Sequence, residues 1–214
     1  MNNLSLRTLI VVIALFFTPL NAQVYIKHIQ IGPKVGVNIA NLTDLDSKIG
    51  FAGGIFFLYQ FSNLFAIQPE AYYTMKGAIH PSHEFSEETF ILHYIEVPLF
   101  LKFIIPVEGS IIRPSVYAGP VIGFNTTAEY KIEYKDTYLN PYPPSLKIFD
   151  ISDKIQSTDF SLAFGGGIGF IVGNNELGFD IRYILGLKSI DDTSRNEDEK
   201  NTVINFNIYF GFSL

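Results

Sequence analysis

Cysteine and tryptophan are absent from the 214 residues, and charged side chains make up only 17% of them. Without cysteine there is neither a disulfide framework nor a lipid-modified cysteine anchor. Positive charge is also short: 15 Lys and Arg stand against 21 Asp and Glu, a net charge of −6. Together with a pI near 5.2 this argues against nucleic acid as a partner, because phosphate binding requires a basic face. Beyond the amino terminus no stretch offers the roughly eighteen uncharged apolar residues of a membrane helix. The richest, 95–107, is broken by Glu96, Pro98, Lys102 and Pro106.

What the chain does have is grease in short pieces. It is 48% hydrophobic and 15% aromatic, with a mean hydropathy of +0.23, high for a soluble exported domain. Apolar content spread through strand-sized segments points to a β-barrel, the other way for a backbone to cross a bilayer.

The amino terminus reads as an export signal. Residues 1–7 are polar with one positive charge, 8–17 are uninterrupted apolar or small, and Thr18-Pro19-Leu20-Asn21-Ala22 supplies a helix breaker and a small residue before Gln23. A run of about ten apolar residues is too short for a spanning anchor, so residues 1–22 are expected to form a signal peptide, cleaved after Ala22. Residues 23–214 are then expected to form one domain, a usual length for a single barrel.

Between Leu64 and Lys76 the alternation is nearly perfect. Phe65, Ile67, Pro69, Ala71, Tyr73 and Met75 take one face, and Ala66, Gln68, Glu70, Tyr72, Thr74 and Lys76 the other. Strands of about ten residues with one apolar and one polar face are what a bilayer-spanning barrel requires. The pattern returns over 31–40, 49–59, 90–104, 111–125, 158–172, 177–188 and 201–214, which predicts an all-β, eight-stranded antiparallel up-and-down transmembrane β-barrel. The second strand has ambiguous facing, with Phe56 and Leu58 opposed to Phe51, Ile55, Phe57 and Tyr59. Connections at 41–48, 77–88, 126–157 and 189–200 read as long loops on one rim, and those at 60–63, 105–110 and 173–176 as short turns on the other. Outer-membrane barrels of Gram-negative bacteria place long loops outside and short turns in the periplasm.

Cost decides which face meets lipid. A lysine or arginine on the lipid face near the midplane costs about 2–4 kcal/mol, so turning several outward would exceed the ~5–15 kcal/mol stability of a typical domain. Lys34, Lys76, Lys102, Arg113, Arg182 and Lys188 are therefore expected to point inward, where Glu70, Glu96, Asp159 and Asp180 share their parity. With eight strands the interior is just filled by side chains, so these ten charges are expected to form a structural network in a plugged lumen.

The strand order resembles that of the PorT-like outer-membrane β-barrel proteins of Bacteroidetes-type bacteria. The resemblance rests on Gly32-Pro33-Lys34-Val35-Gly36-Val37-Asn38, Gln68-Pro69-Glu70, Tyr94-Ile95-Glu96-Val97-Pro98-Leu99, Tyr117-Ala118-Gly119-Pro120 and Asp180-Ile181-Arg182-Tyr183. It implies an outer-membrane barrel and no reaction. The founding member is associated with secretion and gliding machinery.

Other chemistry is weakly supported. The run Gly165-Gly166-Gly167-Ile168-Gly169 lacks the lysine and strand-to-helix context of a phosphate loop. His80 and His83 with Glu84, Glu87 and Glu88 lack a fixed third metal ligand and read more simply as a solvated acidic loop. Asp44, Asp46, Asp191, Asp192, Glu197, Asp198 and Glu199 are oxygen donors suited to calcium or to lipopolysaccharide counter-ions at the rim, and equally to a plain soluble edge. No Ser, His and Asp set assembles: His93 has outward parity and His28 precedes the first strand. Neither catalysis nor a cofactor is expected. The expected role is structural or recognition, with lipid and lipopolysaccharide around a monomeric barrel and a protein or surface polymer bound through 126–157 with its Tyr130, Tyr134, Tyr138 and Tyr142. A secretion-apparatus component is the alternative. A soluble lipocalin-like transporter is a second, disfavoured by the charged inner parity.

Overall fold

A strand that is oily on one face and polar on the other buries only one of them, and a sheet built from such strands removes its unpaired edges by closing on itself. The computed structural model describes residues 28–41, 46–83, 86–134, 145–187 and 202–214. It contains β1 (His28–Asn41), β2 (Asp46–Gln60), β3 (Phe65–His83), β4 (Ser86–Ile104), β5 (Ile112–Tyr134), β6 (Ser145–Asp150), β7 (Thr158–Val172), β8 (Asn175–Gly186) and β9 (Thr202–Ser213), with a single 3-10 turn at Ser152–Lys154. Eight strands close a ring in the order β1, β2, β3, β4, β5, β7, β8, β9 and back to β1, every pair antiparallel. The ninth strand, β6, pairs with the far end of β5. The expected signal peptide lies outside the described residues.

The facing follows the predicted parity. Val35 and Val37 on β1, Leu99 and Leu101 on β4, Ile181 on β8 and Ile208 on β9 are exposed on the outside, while Lys34, Asn38, Glu96, Lys102, Arg182 and Asn207 are buried. On β2 the ambiguity resolves with Ala52, Phe56 and Leu58 inside and Phe51, Ile55 and Phe57 outside.

The structure corrects the extent of several strands. The stretch 77–88, expected to be a loop, is mostly strand: β3 runs on to His83 and β4 starts at Ser86. The stretch 126–157 is not a free loop either. β5 continues to Tyr134, a length of 23 residues, about twice the 9–11 that span a bilayer, and β6 pairs with it from Glu129↔Asp150 to Tyr134↔Ser145. The stretch 41–48 shrinks too, since β2 begins at Asp46, and His28 opens β1 instead of preceding it.

The physical reason for the hidden strand in β5 is a bulge. Tyr94 pairs with Asn125 but His93 pairs with Thr127, so Thr126 is an extra residue. Inward parity switches from odd positions such as Ser115, Tyr117 and Val121 to even Ala128, and an alternation followed in a single frame breaks there.

One end of the barrel is trimmed by short connections. The tightest is the two-residue turn Gly173–Asn174 between Val172 and Asn175, where Gly173 has φ +64°, a conformation that costs other residues strain. At the opposite end β3, β4, β5 and β6 rise side by side as a four-stranded wall.

If the outward face is the lipid face, Ile181→Arg, at a position 53% exposed and flanked by apolar neighbours, should lower unfolding free energy in lipid vesicles by about 2–4 kcal/mol. Denaturant titration of the reconstituted protein measures this.

Candidate functional site: the charged lumen and the wall above it

Ions inside a barrel are tolerated only when each finds partners, since an unpaired buried charge costs several kcal/mol. Alternation on β1, β3 and β8 brings Lys34, Glu70, Asp180 and Arg182 to one level. Glu70 is the hub: Lys34 Nζ donates to its Oε1 at 2.7 Å, Arg182 to both oxygens at 2.9 and 3.1 Å, and Gln68 to Oε1 at 2.7 Å. Asp180 is the second acceptor, taking Lys34 at 2.9 Å, the Tyr117 hydroxyl at 2.9 Å and Asn207 at 2.7 Å. The Arg182 guanidinium also lies 4.9 Å from the Phe100 ring centroid and within 5.6 Å of Tyr72 and Tyr117, so its faces meet π-clouds where its edges meet oxygen.

Toward the wall, Lys76 pairs with Glu96 at 2.6 Å and Asp159 at 3.5 Å, with Tyr94 4.9 Å from its ammonium. Toward the short-turn end, Arg113 donates to Glu176 at 2.9 Å and to Gln60 at 2.8 Å, and Tyr209 donates to Glu176 at 2.8 Å. Lys102 has no carboxylate in salt-bridge range among the described residues. It donates to Gln68 at 3.3 Å and lies 5.4 Å from the Tyr209 ring, beside a void of about 10 Å³ that Arg113, Ser115 and Glu176 also line.

Nine of the ten expected lumen charges are thus inside, and Lys188 lies outside the described residues. The structure adds one that parity could have supplied. Glu176, assigned to a turn, is buried one step of the same alternation before Gly178 and Asp180. The described lumen then holds five cations and five carboxylates. Glycine makes the room: a Cβ on Gly178 would sit 2.1 Å from a Tyr209 ring atom. A depression of about 960 Å³ lies around Gly166 on the apolar outer surface, among Phe51, Phe179, Ile181 and Phe206, and not in the lumen.

At the far end of the lumen the contacts are apolar. Past β6 the chain turns inward, and Ile151 and Ile155 pack on Ala78, Leu92, Tyr94 and Ala128. The corner is tied by Ile151 N–H to Ala128 O and by Ala128 N–H to Ser152 Oγ, both 2.9 Å. Asp150 Oδ1 accepts from the Ser152 hydroxyl at 2.7 Å and its N–H at 2.9 Å, and these two bonds hold the Asp150 carboxyl below its ordinary range. Across the wall, Phe90, Tyr130 and Phe149 form a row with centroids 4.9 and 6.3 Å apart. Burial, then the hydrogen bond to Glu88, pushes the Tyr130 hydroxyl up to about 12.

His80 faces Glu88 across the β3–β4 hairpin and His83 faces Ser86. Glu84 lies outside the described residues, as do Asp44, Asp191, Asp192, Glu197, Asp198 and Glu199. Among the described residues no three His, Asp or Glu side chains gather as a metal would require. His93 faces outward, with the Tyr73 hydroxyl 2.6 Å from its Nδ1.

A closed antiparallel ring of eight strands, apolar outside and salted inside, is the architecture of a membrane β-barrel and the inverse of a soluble one. The chain belongs to the family of the outer membrane protein beta-barrel domain, which matches over residues 21–192. Comparison with curated proteins finds no match. Solved structures similar in fold include Neisserial surface protein A, at 14% identity over 86% of this chain and 97% of that one, with a TM-score of 0.49. Others are OprG from Pseudomonas aeruginosa, at 14% identity over 88% and 95% with a TM-score of 0.44, and Ail, the attachment invasion locus protein of Yersinia pestis, at 16% over 87% and 97% with a TM-score of 0.41.

Glu70→Ala leaves Asp180 alone to face both Lys34 and Arg182 and should cost about 3–5 kcal/mol, whereas Arg113→Ala, whose side chain is 20% exposed, should cost clearly less. Denaturant unfolding in micelles ranks them. At the corner, the lowered Asp150 pKa means that its contribution is present above the ordinary carboxylate value, near 4, and is lost as pH falls through the lowered one. Ser152→Ala should move the Asp150 titration midpoint up toward that ordinary value, read by carboxyl NMR.

Proposed function

We propose that this protein is a recognition protein of the outer membrane: the barrel anchors it, and the wall of β3–β6 is presented to the exterior. The observation that carries the reading is where apolar surface is spent. Leu146, Ile148 and Phe149 on β6 are exposed although they pair with β5 five residues or more beyond Phe124, the last outward apolar residue opposite β7. Large side chains exposed above a lipid belt are a feature of contact surfaces. The middle of the lumen supports the same reading from the other direction: the void beside Lys102 is near 10 Å³ and holds at most about one water, while the wider space of about 370 Å³ lies at the short-turn end, around His28, Arg113 and Glu176. In this reading the export signal is cleaved after Ala22, the long-strand end faces outward, lipid and lipopolysaccharide surround a monomer, and no reaction is assigned.

The paired segments 129–134 and 145–150 can be removed together with the residues that join them, because Ile151 N–H already bonds Ala128 O and the cut ends are adjacent. A variant with 129–150 replaced by a short glycine link should keep heat-modifiable gel mobility and outer-membrane fractionation. It should lose the partners that cross-linking on intact cells recovers with the parent chain. Undiminished recovery would overturn the recognition reading, and recovery of periplasmic proteins alone would favour the PorT-like role in a secretion apparatus.

A further inference from the structure

We propose that the free edge of β6 is a docking strand for an extended peptide segment of a partner protein, which joins the wall through main-chain hydrogen bonds. The inference rests on the recognition reading and names its chemistry. All six residues of β6 pair with β5, and among the described residues β6 pairs with no other strand. Among the described residues one row of its N–H and C=O groups thus has no strand opposite it, and all six residues are exposed.

Edges in natural sheets are protected by proline, bulges or charge placed across them. Ser145-Leu146-Lys147-Ile148-Phe149-Asp150 has no proline, and its register against β5 runs without a shift. It carries one central charge, the Lys147 ammonium, which sits 5.4 Å from the Tyr134 ring on the neighbouring strand.

The occupant follows from symmetry and size. Two β6 strands from copies of this chain pair antiparallel only about a two-fold axis perpendicular to the sheet. For a wall that rises from the bilayer, that axis lies in the membrane plane and puts the two barrels in opposed membranes. Six residues a side are also far from the roughly 20–30 of a stable interface. A peptide that supplies its own backbone as ligand needs only the edge. Residues directly opposite share a face, so the matching segment alternates, with apolar side chains facing Leu146 and Ile148 and an acidic or hydroxyl side chain facing Lys147.

The test uses the full mature chain in detergent micelles and a synthetic octapeptide of alternating valine and threonine with one central glutamate. A second octapeptide has the same sequence with every other amide N-methylated. The first should slow amide exchange in β6 about tenfold at saturation and lose that effect on the variant L146D/I148D, whose fold is checked by gel mobility. The methylated peptide should do nothing. Equal effects from both peptides, or none from either, overturn strand addition. If neither acts yet deletion of 129–150 still abolishes partner recovery, strand addition falls and the recognition reading stands. If that deletion leaves recovery intact, both fall.

Discussion

The buried carboxylate of Glu70 accepts from two cations and an amide, and much of the molecule follows from making that arrangement tolerable. A lysine and an arginine at the centre of a narrow cylinder repel each other unless a carboxylate sits between them, and Glu70 is joined there by Asp180. The strands that carry these groups, β1, β3 and β8, are not all neighbours in the ring. Their pairing across the lumen therefore fixes barrel register as well as charge. Slipping any one strand by a residue would move its ions to the outer face, where each would cost about 2–4 kcal/mol.

The same constraint explains the small side chains. Five cations and five carboxylates with tyrosines between them overfill an eight-stranded interior unless some inward positions carry no side chain. Gly178 yields to Tyr209, and Gly165 lies against the Tyr117 hydroxyl. The glycine-rich run of β7 thus makes space for the polar groups opposite it, which is why its likeness to a nucleotide loop is superficial.

The barrel was legible in the sequence because lipid and lumen impose opposite demands on successive residues. Lys34, Glu70, Glu96, Asp180 and Arg182 could be placed from parity alone, since no other facing is affordable. The wall was harder to read for two reasons. Above the belt neither face of a strand meets lipid, so the apolar half of the signal fades, and Glu129, Lys131 and Glu133 alternate with Tyr130, Ile132 and Tyr134 in a segment that composition marks as a polar loop. The bulge at Thr126 then reverses the frame at the point where the pattern weakens. Glu176 was a different case: its parity was correct, and only its proximity to Gly173 and Asn174 concealed it. What parity cannot supply is contact between distant strands, such as Ile151 and Ile155 folding onto Leu92 and Ala128.

Different contacts at the two ends separate the roles of the parts. At the short-turn end Arg113, Gln60 and Glu176 bridge β5, β2 and β8, and at the wall end the Ile151–Ile155 corner covers the apolar top of the lumen. Large rearrangement of this interior would expose several paired ions at once. The interior therefore contributes rigidity, and what varies in use must lie on surfaces the lumen does not consume. Extending β3, β4 and β5 as continuous strands carries that rigidity beyond the bilayer. The hairpin of β5 and β6 is thereby held as a fixed edge, and the conformational entropy that a free loop of this length would keep has been lost in folding.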